Sequence, residues 1–220
     1  MLFTPEMSLL LDRDRTRARQ WIESARPAEA IDHLAGIAAK QHLDIVIGSM
    51  PVATACGKWA NRAHYFHPDL GPPVTYDKIH MFDVELATGE AWRESAAYEP
   101  GRDVVTVEDT PVGRLGLTIC YDLRFPALFG ELGNRHCDTI AVPAAFTVPT
   151  GAAHWHVMLR ARAIEASAFI IAAAQVGQHE DGRTTYGHSL VVDPWGEVLL
   201  DMGGEAPGLA FCDIDLTRID

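Results

Sequence analysis

The chain is predicted to fold as a layered α/β protein. Short apolar runs with the composition of buried strands recur along its whole length, and helical periodicities separate several of them. More than one of these runs stops abruptly at an ionisable residue. Strands interleaved with helices pack as sheets covered by helical layers, and sites in such folds collect at strand ends.

The elements are expected in the following order. A first strand occupies 1–4, then helical patterns occupy 13–25 and 27–41. Pro27 suits a first helical turn, and Leu34, Ile37 and Ala38 give the second helix one apolar face. Strands follow at 43–52 and 60–66, and a shorter strand-like run leads into Lys78. The stretch 79–102 is long and poorly periodic, and loops of that length commonly cover a site. Strands are expected at 104–108 and 114–119, a helix at 126–133 and a strand at 139–143. A turn at 150–155 then precedes a helix at 153–166, followed by strands at 169–175, 189–192, 198–201 and 209–214. Pro194, Trp195 and Gly196 make a turn after the strand at 189–192. No repeat, low-complexity tract or Ser/Gly linker appears, so residues 1–220 are expected to form one domain.

The strand at 114–119 carries the chemistry. Its apolar run ends at Cys120, and Tyr121, Asp122 and Arg124 follow at once. A buried strand has no use for such a cluster, so the chain turns here and presents the thiol at a sheet rim. A free thiol is mostly protonated near neutral pH and needs a partner to become a nucleophile. Two other short strands also end in ionisable residues, Glu6 and Lys78. Side by side in one sheet, the three strands would bring these groups to a common edge. There Glu6 accepts the thiol proton, Lys78 holds developing negative charge, and Cys120 attacks a carbonyl or nitrile carbon.

The segments FTPE around Glu6, YDKIHMFD around Lys78 and LTICYDLRFP around Cys120 resemble, in order and context, the nitrilase superfamily of carbon–nitrogen hydrolases. The segments at 143–165 and 186–198 are similar to its branch of deaminated-glutathione amidases and ω-amidases. The resemblance implies an α-β-β-α four-layer sandwich that pairs through its helical faces as a homodimer. It also implies a Glu–Lys–Cys triad and a second glutamate orienting the lysine, for which Glu94 is the best match ahead of Glu85, Glu90 and Glu99. Tyr121, Arg124, Phe146, Thr150 and Trp155 stand as candidate substrate-binding residues. The implied reaction is hydrolysis of a small amide through a thioester, with no metal or organic cofactor. Family members usually open with a strand and helix before the glutamate segment and continue into a tail. Here that segment starts at Met1 and the chain stops at Asp220, so it is expected to be incomplete at both ends.

Bulk properties narrow the partners. A net charge of −12 argues against nucleic acid and anionic membranes, but not against a small anion met by a local arginine cluster. No apolar run approaches the roughly 20 residues needed to span a bilayer, and Met1 to Leu11 lacks a signal peptide's basic start. Cys56, Cys120, Cys137 and Cys212 form no CxxC, which favours a reduced cytoplasmic setting. Cys137 and Cys212 are expected in the core and Cys56 in a turn. Asp122 and Arg124 are expected to brace the turn as a pair, since unpaired charges are seldom buried. Arg160 and Arg162 are expected on a helix surface. His154 and His156 point to different helix faces and no third ligand cluster is evident, so no metal site is expected. Three rival readings remain: a papain-like hydrolase with a histidine base, an ω-amidase or N-carbamoyl amino acid hydrolase on the same fold, and a truncated non-catalytic oligomeric protein.

Overall fold

The structure is a computed structural model and describes residues 1–69, 71–85, 89 and 91–219. The first sheet is built from β1 (Leu2–Phe3), β2 (Ile45–Ala53), β3 (Trp59–Phe66) and β4 (Val74–Asp77), in that spatial order. Two helices, α1 (Arg15–Ile22) and α2 (Arg26–Gln41), lie between β1 and β2 in the chain. Asp14 caps α1 by accepting the Thr16 and Arg17 N–H groups, which moves its start past the expected residue 13.

Side-chain alternation along β2 separates two layers. Ile45 and Ile47 pack with Ala38, Leu34 and Ile31 of α2, whereas Val46 points into the space between the sheets. Both faces are covered, so β2 reads as a nearly continuous apolar run.

The second sheet comprises β7 (Thr106–Thr110), β8 (Gly113–Leu117), β9 (Thr139–Ala141), β10 (Phe169–Ala172), β13 (Leu190–Val192) and β14 (Val198–Asp201). Its order is β14-β13-β10-β9-β8-β7, parallel across β8, β9 and β10 and antiparallel toward both edges. Helices α3 (Pro126–Asn134) and α4 (Val148–Ala166) pack on it through Leu128, Phe129, Leu132, Trp155 and Leu159. Gly116 permits this approach, because a Cβ there would sit 2.9 Å from Leu132. The inter-sheet core joins Val46, Ala63, Tyr65 and Tyr76 to Leu115, Leu117 and Ala141. The layers therefore run α-β-β-α, as expected.

Several expectations need correction. Helix α4 begins at Val148, so 150–155 is helix and not turn. Gly151 serves packing there, since a Cβ would meet the Tyr186 ring at 2.3 Å. No strand forms at 209–214; Leu209 and Phe211 are exposed, and an alternating pattern without a neighbouring strand makes no ladder. Cys212 is accordingly half-exposed rather than in the core. Two hairpins arose without an apolar signal, β5 (Asp83–Glu85) with β6 (Ala91–Arg93) and β11 (Val176–Gln178) with β12 (Thr184–Tyr186). The expected site loop at 79–102 thus contains a hairpin.

Candidate active site

Glu6, Lys78 and Cys120 do not share one sheet. Glu6 follows β1 and Lys78 follows β4, the two edges of the first sheet, while Cys120 follows β8 of the second. They meet because the sheets stack face to face with these strand ends at the same end of the sandwich. Gly48 of β2 marks the close approach, since a Cβ there would fall 2.4 Å from Pro143 Cβ beyond β9.

Cys120 adopts the left-handed conformation, φ +50°, and its N–H donates to Pro143 O at 2.8 Å. A non-glycine residue holds that conformation only where its surroundings impose it. Asp122 imposes it here. Its Oδ2 accepts the Ile119 N–H (2.9 Å) and the Tyr76 hydroxyl (2.6 Å), and its Oδ1 accepts the His80 N–H (3.0 Å) and faces His80 Nδ1 (2.7 Å). Asp122 is fully buried and ties the turn of Cys120 to the strand end of Lys78. The expected Asp122–Arg124 pair is not formed; Arg124 Nη2 instead meets His154 Nδ1 at 2.9 Å.

Lys78 is buried between two carboxylates. Its Nζ donates to Glu6 Oε1 at 3.1 Å and to Glu94 Oε1 and Oε2 at 3.1 and 2.9 Å. Asn61 Nδ2 donates to Glu6 Oε1 (2.9 Å) and Glu94 Oε1 (3.4 Å). The Ala145 N–H donates to Glu6 Oε2 (2.9 Å), and the Phe82 N–H to Glu94 Oε2 (2.6 Å). Of the other glutamates weighed for this place, Glu85 is exposed, Glu99 accepts from Cys56 at the surface, and Glu90 lies outside the described residues.

Charge follows from these contacts. Burial alone would raise the Glu6 carboxyl, but the Lys78 charge and hydrogen bonds from Cys120, Lys78 and Asn61 hold it below 4.5. Burial also opposes the Lys78 ammonium, but Glu6 and Glu94 hold it well above 10.5. Burial and the Glu6 charge push the Cys120 thiol well above 9.0, against the pull of Lys78. The resting site is thus a neutral thiol beside an ionised carboxylate and an ammonium. Glu6, with its depressed value, contributes stability that is full above pH 4.5 and lost as pH falls through its folded value. Lys78, with its raised value, contributes stability that is full below 10.5 and lost only at higher pH. The kcat/KM profile is therefore expected to stay flat from neutrality down through pH 5. An acid limb centred near pH 6–7, the ordinary imidazole range, would contradict the assignment of Glu6.

A cavity of about 350 Å³ opens over these groups. Glu6, Lys78, Glu94 and Cys120 line it, together with Tyr121, Arg124, Phe146 and Thr150. Trp155 does not. It is completely buried, donates Nε1 to His188 O at 2.7 Å and packs 4.8 Å from Phe146, so it backs the wall rather than facing a ligand. Arg162 is also buried, donating to Leu123 O at 2.9 Å, and is not the surface charge expected. Arg160 reaches Gly196 O at 2.7 Å.

Sequence reasoning missed Asn61, Gln175, Trp92, Arg183 and the Ala145 N–H. Asn61 sits inside the otherwise buried β3, and a fully buried amide in a strand is the signal that went unread. Gln175 donates to Glu6 O at 3.0 Å. Arg183 lies over the Trp92 ring at 5.1 Å, joining the β11–β12 and β5–β6 hairpins at the rim. A backbone N–H such as that of Ala145 has no side-chain signature. Removing the amide in Asn61→Ala deletes its hydrogen bonds to Glu6 and Glu94, the shorter of which is worth about 1.5–3 kcal/mol. The expected loss in kcat is about tenfold to a hundredfold with KM little changed, read by steady-state ammonia release.

His154 and His156 do diverge, as the helix requires. His156, however, meets His188 and Asp201, a third-ligand grouping that sequence order concealed.

The family described as carbon-nitrogen hydrolase matches residues 1–220. A deaminated glutathione amidase of Yersinia enterocolitica is 42% identical over 202 residues, covering 90% of this chain and 70% of its own. One from Synechocystis is 39% identical over 218 residues, covering 98% of this chain and 79% of its own. The crystal structure of the Caenorhabditis elegans NitFhit protein superposes with a TM-score of 0.90 at 33% identity, over 99% of this chain and 53% of that one. With its thiol, ammonium and paired carboxylates gathered at one end of an α-β-β-α sandwich, the chain belongs to the carbon–nitrogen hydrolase family.

Proposed function

We propose that the protein hydrolyses the amide of a small, carboxylate-bearing compound, deaminated glutathione or a similar ω-amide, to a carboxylate and ammonia. The observation that carries this reading is the buried Lys78 between Glu6 and Glu94, set beside the Cys120 thiol on the cavity wall. Cys120 Sγ attacks the amide carbon while Glu6 takes its proton, forming a C–S bond and a tetrahedral oxyanion. Lys78 and the Tyr121 N–H hold the oxyanion. Glu6 returns the proton to the nitrogen, the C–N bond breaks, and ammonia leaves a thioester. Water then gives a proton to Glu6 and adds to the thioester carbon; loss of the thiolate, reprotonated by Glu6, yields the acid. Glu94 orients Lys78 and maintains its charge. Asn61 bridges the two carboxylates.

A carboxylate-bearing substrate is supported by the cavity's cations. Arg13, Arg15, Arg93, Arg124 and Arg183 line it in a chain of net charge −12. Arg124 Nε is buried with no hydrogen-bond partner among the described residues, and suits it to a carboxylate. The names carried by the similar Yersinia and Synechocystis proteins favour deaminated glutathione. Ammonia release on deaminated glutathione, α-ketoglutaramate and N-carbamoyl amino acids tests this. The first is expected to have the highest kcat/KM, and hydrolysis of N-carbamoyl amino acids alone would overturn it.

We also place the protein in the cytoplasm as a homodimer. All four cysteines are free, and Val157 and Ile164 of α4 are exposed with Trp195 nearby in the fold. Light scattering is expected to give twice the chain mass, falling to one chain in Val157→Asp/Ile164→Asp.

A further inference from the structure

We propose that His156, His188 and Asp201 form a binding site for a divalent transition metal of the zinc class. His156 lies on the flank of α4, His188 just before β13, and Asp201 at the end of β14. His188 Nδ1 is 2.9 and 3.1 Å from Asp201 Oδ1 and Oδ2, and His156 Nε2 is 3.0 Å from Oδ2. One donor atom from each residue lies within 4.8 Å of the others. In a tetrahedral site with bonds of about 2.1 Å, donor atoms stand about 3.4 Å apart, so an ion enters as the imidazole–carboxylate contacts of 2.9–3.1 Å open slightly and the two imidazole nitrogens, within 4.8 Å of each other, close on it. Two imidazoles and a carboxylate select Zn²⁺, Co²⁺, Ni²⁺ or Cu²⁺ over the oxygen-seeking Ca²⁺ and Mg²⁺.

Two features argue for a built site over chance hydrogen bonding. His188 is in the left-handed conformation, φ +56°, which a non-glycine residue holds only when its surroundings impose it. Its N–H donates to Gly203 O (2.8 Å), its carbonyl accepts Trp155 Nε1 (2.7 Å), and its ring stacks 4.4 Å from Tyr186. Those contacts fix the imidazole on Asp201. Asp201 Oδ1 in turn accepts the Gly203 N–H at 2.8 Å, the supporting bond that ligating carboxylates typically have. A half-exposed carboxylate already so bonded needs no second imidazole, yet His156 converges on it as well. All three residues remain partly open to solvent, which leaves room for the ion and its waters. The site is assigned binding and not a reaction.

The test uses the full chain without a histidine tag, stripped of metal, and carrying Cys120→Ser so that the thiol does not compete. Titration with Zn²⁺ by calorimetry, and with Co²⁺ by visible absorption, is expected to show one equivalent bound with tetrahedral cobalt bands. Asp201→Asn and His156→Ala are each expected to weaken binding about tenfold to a hundredfold, with circular dichroism unchanged. His33→Ala, an exposed imidazole on α2, is expected to leave it unaltered. Absence of stoichiometric binding, or binding indifferent to both site variants, overturns the proposal. His156, on the helix flank, keeps the test valid should Asp201→Asn fail to fold.

Discussion

Lys78→Ala is expected to lower kcat/KM by about a thousandfold or more and to destabilise the protein. The catalytic loss follows from removing the cation that holds the oxyanion, a contribution of about 10²–10³ for one donor alone. Loss of the proton relay through Glu6 adds to it, since Lys78 is the cation that keeps Glu6 ionised. The stability loss has a separate origin. Glu6 Oε1 and Glu94 Oε1 are both drawn to one ammonium, and without it two buried carboxylates face each other. Breaking a buried ion pair from one side costs about 3–5 kcal/mol, or the site takes up a proton instead. Lys78→Arg is not expected to rescue either effect, because a 2% exposed side chain leaves no room for a planar fork. Chemical denaturation and ammonia release measure the two losses independently. Unchanged turnover in Lys78→Ala would favour a histidine base. Among the described residues, however, none of the cavity-lining side chains is an imidazole, and His80 is held by Asp122 while stacked 3.6 Å from Phe125.

Cys120→Ala is expected to abolish turnover, by about 10⁴-fold or more, while leaving the fold intact. The thiol is small, and its replacement removes one sulfur from a site that opens on a cavity. Cys137 is the useful contrast. It is 2% exposed, packed near Gly116, with burial pushing its thiol up to about 12. Cys137→Ala is therefore expected to cost stability and spare activity. Thermal unfolding and steady-state kinetics on both variants distinguish a nucleophile from a core thiol. Loss of activity on both, with equal loss of stability, would make Cys120 structural.

What was legible in the sequence was the local signal of each strand end. The break from Ile119 to Cys120, the lysine after Tyr76 and Asp77, and the glutamate after a short apolar run are all visible in order. What was not legible was which ends face one another. Three strands in one sheet and strands from two stacked sheets leave the same pattern, and the second arrangement is the one that forms. Partnerships misread for the same reason include Asp122, which turned out to serve Tyr76 and His80 rather than Arg124. Trp155 and Arg162 differ from expectation because the mixed composition of α4 does not show which of its faces is buried, and that face takes in both. The short hairpins leave no signal, since three-residue strands are too brief to carry a periodicity. Their contribution is real nevertheless, for Trp92 and Arg183 come from them to the cavity rim.

The proposed hydrolysis requires a covalent acyl intermediate on the Cys120 sulfur, formed with the assistance of Glu6. Rapid-quench intact-mass spectrometry of the protein mixed with deaminated glutathione measures it most directly. A transient mass gain equal to the substrate less ammonia is expected, mapped to the peptide containing Cys120 and absent in Cys120→Ala. Turnover with no adduct at any quench time in Glu6→Gln or in the unaltered protein, or an adduct mapped to another residue, would contradict it.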